Sequence, residues 1–104
     1  MSRCNNAKRI YISGPMTGYP EFNYPYFNAE AFRLRELGYD VVNPAELSSD
    51  DTPWHLCLRK DLAELMTCDA IVMLDGWEHS KGAHLELNNA HRVQMEILFA
   101  KDIK

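Results

Sequence analysis

Little in this chain invites an early assignment, and each shortage removes a class of function. Its three cysteines, Cys4, Cys57 and Cys68, form no CxxC pair and are odd in number, which argues against a disulfide framework and fits reduced thiols in a cytoplasmic setting. The histidines His55, His79, His84 and His91 match neither HExxH nor another zinc spacing, so no metal or other cofactor is expected. Basic residues are outnumbered by acidic ones, 11 to 15, for a net charge of −4. That balance lacks the basic face of a nucleic-acid-binding surface, while a small anionic ligand needs only local donors. No apolar run approaches the roughly 20 residues of a membrane-spanning helix, and no charged-then-apolar leader is present. The expectation is a soluble, cytoplasmic protein that engages neither membrane nor nucleic acid. Repeats and low-complexity tracts are absent, and 104 residues suffice for one core, so residues 1–104 are read as a single domain.

What is there alternates. Lys8 to Ser13 is a short apolar run broken by Gly14-Pro15, the pattern of a buried strand ending in a loop. Phe22 to Leu37 carries Phe27, Ala31, Leu34 and Leu37 at helical spacing, with Gly38 as its stop. Tyr39 to Val42 predicts a second strand, closed by Asn43-Pro44. A Ser- and Asp-rich loop leads to Thr52-Pro53, a favourable helix start. The helix from Pro53 to about Thr67 has Trp54, Leu58, Leu62, Leu65 and Met66 on one stripe. Ala70 to Leu74 is uninterruptedly apolar, as a central parallel strand covered on both faces should be. A helix over Lys81 to Met95, a strand over Ile97 to Ala100 and a frayed charged end complete the chain. The fold class that follows is α/β, a three-layer sandwich around a small parallel sheet of the Rossmann or flavodoxin-like type.

Ligands of open parallel sheets bind beyond the carboxyl ends of the strands. Three loops gather there: Gly14 to Asn23, Asn43 to Thr52, and Asp75 to Lys81. The first, running on into Ser13-Gly14-Pro15-Met16-Thr17-Gly18, combines glycines that admit a ligand to the backbone with the aromatic rings of Tyr19, Phe22, Tyr24, Tyr26 and Phe27. Those rings either stack on a flat ligand or cap the end of the core. Ser80, ahead of Lys81-Gly82-Ala83, is placed as an N-cap. It either serves as a cap alone, contributing about 1 kcal/mol, or opens an anion site on the free amides of the helix start. Glu86 shares its helix face with Ala83, Leu87, Ala90 and Val93, the face that should be buried. A carboxylate there is a candidate for chemistry, and the nearby helix start favours its ionised, nucleophilic form. Asp61 lies beside the apolar stripe of its own helix, where a structural ion pair or hydrogen bond competes with a functional role.

Taken together, Ile10-Tyr11-Ile12-Ser13-Gly14-Pro15, Asp61-Leu62 with Cys68-Asp69-Ala70, and Ser80-Lys81-Gly82-Ala83-His84-Leu85-Glu86 resemble the nucleoside 2-deoxyribosyltransferase superfamily, and within it a compact branch known as DUF4406. The resemblance covers nearly the whole chain. It implies that Glu86 attacks the anomeric carbon of a sugar to form a glycosyl-enzyme intermediate, that Tyr11 contacts this glutamate, and that Asp61 assists the leaving base. It also implies a substrate cradle from Ser13, Gly14, Pro15, Met16, Thr17, Gly18, Ser80 and Gly82. Serine at position 80 is similar to the nucleoside 5′-monophosphate N-glycosidases, where transferases acting on free nucleosides carry aspartate. An aspartate would repel a phosphate that a hydroxyl and nearby amides can bind. The implied partners are a nucleoside or nucleotide and further copies of the chain in a homo-oligomer. The loop Asp75-Gly76-Trp77-Glu78-His79 is bulkier than its counterpart in that superfamily. A nucleotide-binding protein without catalysis is the rival expectation. A receiver-like domain phosphorylated on Asp75 is a remoter one, since no acidic pair follows the first strand to hold magnesium.

Overall fold

The computed structural model describes residues 7–47 and 51–104. Four strands, β1 (Arg9–Ser13), β2 (Asp40–Val42), β3 (Ala70–Met73) and β4 (Glu96–Phe99), form one sheet in the order β2-β1-β3-β4. Every pairing is parallel, with Tyr11 opposite Val42 on one side and Ile71 on the other. Helices α1 (Tyr24–Glu36), α2 (Trp54–Leu65) and α3 (Lys81–Arg92) supply the connections.

The alternation of side chains along the strands decides which helix each residue meets. Ile10, Ile12, Ala70, Val72 and Leu74 point to the face covered by Phe27, Ala31 and Leu34 of α1. Tyr11, Ile71 and Met73 point to the opposite face, against Leu65 of α2 and Ala83 and Ala90 of α3. The result is the three-layer α/β sandwich. The chain steps from β1 outward to β2 through α1, then crosses back to β3 and on to β4 through α2 and α3. The connections leaving β1 and β3 therefore diverge to opposite faces. Their divergence opens a crevice between the carboxyl ends of these adjacent strands, the switch point at which open sheets bind ligands.

Several elements differ from the pattern read in the sequence. Helix α1 starts at Tyr24 and not at Phe22, because Glu21, Phe22 and Asn23 all adopt left-handed backbone angles, with φ of 54°, 53° and 62°. The side chain of Asn23 donates to Pro15 O at 2.9 Å and fastens this turn to the end of β1. Left-handed angles disfavour residues with a Cβ by about 1–2 kcal/mol each. Among the described residues, the exposed Glu21 finds no side-chain hydrogen bond or ion pair that would offset this. Glu21→Gly is expected to stabilise the protein by about 0.5–1 kcal/mol in urea titrations; a loss of stability would show that the glutamate side chain itself holds the turn.

Helix α3 ends at Arg92, since Gln94 turns left-handed with φ 60°, and Val93 is 55% exposed and not part of the buried face. Trp54 and Met66, assigned to the α2 stripe, are about half exposed at the two ends of that helix. The last strand is Glu96–Phe99, one residue earlier than the apolar run suggests. The C-terminus is not frayed. Ala100–Asp102 form a short helical turn, Ile103 packs on the core, and Arg33 donates to the carbonyls of Ile103 and Ala100 at 2.6 and 3.0 Å. Arg33 is in turn held by Glu30.

Candidate active site

A cavity of about 590 Å³ occupies the crevice. Three walls enclose it: Gly14 to Thr17 with Tyr19, Phe22, Tyr24 and Phe27 from the connection after β1; Trp54, Cys57, Leu58 and Asp61 from α2; and His79 to Ala83 with Glu86 from the start of α3. Pro44 and Thr52 close the side toward β2. Residues 48–50, part of the loop assigned to this region from sequence, lie outside the described residues.

Glu86 is 6% exposed, and its carboxylate is held by two hydroxyls from β1. Tyr11 Oη donates to Oε2 at 2.8 Å and Ser13 Oγ donates to Oε1 at 2.6 Å. Both donors reach it because residues two apart on a strand share a face, here the face toward α3. The same alternation explains why Ser13, assigned to the substrate cradle from sequence, is fully buried and grips Glu86 without lining the cavity. Burial pushes the Glu86 carboxyl up to about 7, against the two hydroxyl hydrogen bonds that lower it, while the charge of Asp61 raises it further. The sequence expectation of a readily ionised glutamate is thus corrected: desolvation outweighs the two hydroxyl hydrogen bonds. Burial foremost, and then the Glu86 charge, push the Tyr11 phenol well above its ordinary range, so it remains a hydrogen-bond donor.

Asp61 is 9% exposed, and among the described residues no donor reaches its Oδ1. Among the described residues, neither the ion pair nor the loop hydrogen bond weighed from sequence is present at that oxygen. Burial pushes this carboxyl up to about 6, opposed by the charge of neighbouring Lys60. A buried carboxyl oxygen without a donor costs stability.

At the start of α3, Ser80 caps the helix: its Oγ accepts from Ala83 N at 3.1 Å and its carbonyl from His84 N at 3.0 Å. The first-turn amides of Lys81 and Gly82 have no intrahelical acceptor, and both residues line the cavity. The bulky Trp77 does not enter it. Its ring lies against His84 and Phe99, with centroids 5.3 and 6.3 Å away.

The cradle residues from sequence divide. Pro15, Met16, Thr17, Ser80 and Gly82 line the cavity, as does Gly14, whereas Gly18 does not. Gly14 has a packing reason for its identity: a Cβ there would lie 2.9 Å from Leu74 Cβ. Of the aromatics, Tyr26 turns away and its hydroxyl accepts from Asp75 N. Lys81, His79, Trp54, Cys57 and Leu58 were missed as lining residues. For Lys81 the signal was available, since it is the first residue after the cap of a helix that follows a central strand. Trp54 was misread because helical spacing cannot show which end of a stripe runs past the core. Among the described residues, no three His, Cys, Asp or Glu side chains gather as a metal would need, and no helix is long and apolar enough to cross a membrane.

An open parallel sheet with two buried carboxyls at its switch-point cavity defines a small α/β domain with a candidate site between β1 and β3. The chain belongs to the family described as Domain of unknown function (DUF4406), whose profile matches residues 8–99 and so spans all four strands and all three helices. No curated protein matches the chain.

Proposed function

We propose that this protein cleaves the N-glycosidic bond of a nucleoside 5′-monophosphate, or exchanges its base, in the manner of the nucleoside 2-deoxyribosyltransferase superfamily. The observation that carries the reading is the buried Glu86 carboxylate, fixed by Tyr11 and Ser13 at the wall of a cavity that Asp61 also lines. Two hydroxyl donors orient the carboxylate, and the remaining lone pairs stay available for attack.

In this mechanism a Glu86 oxygen bonds to the anomeric carbon as the bond to the base breaks, with the electron pair leaving on the base. The proton of the Asp61 carboxyl passes to a ring nitrogen of the base and neutralises it. Water, or a second base, then attacks the same carbon from the vacated side, gives its proton to Asp61 and frees Glu86, the double displacement of retaining glycoside chemistry. The phosphate is assigned to the start of α3, where the Ser80 hydroxyl, the Lys81 and Gly82 amides and the Lys81 ammonium supply donors and charge. The rings of Tyr19, Phe22 and Trp54 at the mouth suit a planar base.

Self-association belongs to the same proposal. Strand β4 is an open edge of the sheet, and exposed Val93 and Phe99 flank it; light scattering on the eluting protein reads the oligomer directly. The catalytic reading is tested by incubating the protein with nucleosides and their 5′-monophosphates and separating free base by chromatography. Base released from monophosphates in preference to nucleosides is the expected result. Nucleotide binding by calorimetry with no release after long incubation would replace catalysis with the binding-only alternative.

A further inference from the structure

Ser13 ends β1 fully buried, and its backbone is committed to the sheet: it lies opposite Met73 of β3, and its carbonyl accepts from Leu74 N at 2.8 Å. Among the described residues, Glu86 Oε1 is the one acceptor that its hydroxyl reaches, at 2.6 Å. The surroundings of that carboxylate divide into those that favour its charge and those that oppose it. Burial opposes it, as does the charge of Asp61 from α2, whereas the Ser13 and Tyr11 hydroxyls from β1 favour it. Ile71 and Met73 of β3 bring only apolar surface to this layer. His79 and Lys81 line the same cavity, yet among the described residues no histidine, lysine or arginine pairs with Glu86. An ionised Glu86 therefore depends on two hydroxyl protons and on no cation.

We infer that Ser13 is a positioning residue whose hydroxyl keeps the buried Glu86 carboxylate ionised, and so ready to attack. The inference rests on the catalytic reading for its effect on rate; the charge state of Glu86 is read without substrate. With both donors in place, a proton added to Glu86 displaces one of them. That hydroxyl then has to turn, accept, and place its own hydrogen elsewhere in a packed layer. Without the Ser13 hydroxyl, Oε1 becomes a buried acceptor with no donor, and taking up a proton relieves it. Tyr11 does not fill the gap, because its phenol is already spent on Oε2 at 2.8 Å. Burial holds the carboxyl at about 7 even with both hydroxyls present, so neutral pH leaves little margin for the loss of either. The Ser13 bond serves the second step as well: it strengthens as water displaces the carboxylate from the sugar carbon, since a hydroxyl bonds a carboxylate more strongly than an ester.

The test follows Glu86 directly, through the carbon-13 resonance of its side-chain carboxyl, assigned by its loss in Glu86→Gln. In Ser13→Ala the carboxyl is expected to titrate about one pH unit higher than in the native protein, a roughly 10-fold smaller ionisation constant, from the loss of one hydrogen bond to a charged group. Ser13→Cys, close in volume but a weak donor, should move it the same way by less, and it carries the test should the alanine protein not fold. The kcat/KM for base release supplies the second reading. Ser13→Ala should lower it about 10-fold below about pH 7 and return it close to the native value by about pH 9, where Glu86 is ionised in both proteins and the alkaline fall due to Asp61 cancels. A serine with only a structural role would lower it equally at every pH. Unchanged titration of Glu86 in the variants overturns the inference, as does a rate loss that does not vary with pH. A shifted titration in a protein that releases no base from any nucleotide supports the inference and sinks the catalytic reading instead; base release with an unshifted titration does the reverse.

Discussion

Glu86→Gln is expected to reduce base release by on the order of 10⁴–10⁶-fold, the range found when the central groups of covalent catalysts are removed, while the protein stays folded. Glutamine preserves the shape of the side chain, and its amide can still pair with the hydroxyls of Tyr11 and Ser13. Alanine is the poorer test, because it strands two buried hydroxyls at about 1–3 kcal/mol each. Unchanged release by purified Glu86→Gln protein would end the assignment of this residue as nucleophile.

The same variant has a stability signature. The Glu86 carboxyl is raised in the folded protein from 4.5 to about 7. Its contribution to stability is complete below the unfolded value and disappears as pH rises through about 7, because the folded protein must then hold a buried charge. Glutamine has no such penalty. The difference in unfolding free energy between variant and native protein should therefore grow in favour of the variant from about pH 4.5 to pH 7, by on the order of 3 kcal/mol, and level off above. Urea titrations across that range measure it. A difference that does not change with pH would mean that Glu86 titrates as an ordinary exposed carboxylate.

Asp61→Asn is expected to lower base release by about 10²–10⁴-fold, the usual range for a positioned proton donor, and to raise stability at neutral pH by removing the charge of a carboxyl that burial raises to about 6. Its diagnostic is the pH profile. Catalysis requires Glu86 ionised and Asp61 protonated, yet Glu86 at about 7 lies above Asp61 at about 6. Of the two arrangements with one proton, the productive one is then the minority, roughly one part in ten. The native kcat/KM should peak between about pH 6 and 7, falling on the acid side as Glu86 is protonated and on the alkaline side as Asp61 is ionised. The second ionisation of the substrate phosphate is common to both proteins and cancels when their rates are compared. In Asp61→Asn the alkaline fall should vanish, so the activity lost relative to native protein shrinks above pH 7. An alkaline limb that persists in the variant would assign the proton donor elsewhere.

How far such a site is legible in a sequence depends on the kind of neighbour involved. The strands announce themselves through apolar runs between turn residues, and Ala70 to Met73 is buried at every position, as its unbroken hydrophobicity requires. Ser80 as a cap follows from its place ahead of Lys81-Gly82-Ala83. Glu86 stands out because helical spacing sets it among Ala83, Leu87 and Ala90. The left-handed turn at Glu21 to Asn23 is not legible, because neither Glu nor Phe prefers those angles and the fastening comes from Pro15 across the loop. The docked C-terminus is equally hidden. Lys101, Asp102 and Lys104 look like a solvated tail, and the clasp is supplied by Arg33, 70 residues away from Ile103.

By itself the sequence determined the α/β alternation, the order of elements and the candidacy of Glu86, Asp61 and Ser80, since periodicity, capping and turn chemistry act between residues a few positions apart. Tertiary structure alone decided that Tyr11 and Ser13 both grip Glu86, that Ser13 leaves the cavity wall, that burial raises the Glu86 carboxyl against both hydrogen bonds, and that among the described residues Asp61 Oδ1 is left without a donor. Each of these depends on which face of β1 meets α3 and on how much water the packed layers exclude. Desolvation and contacts across 73 or 75 residues are properties of the assembled sheet and helices.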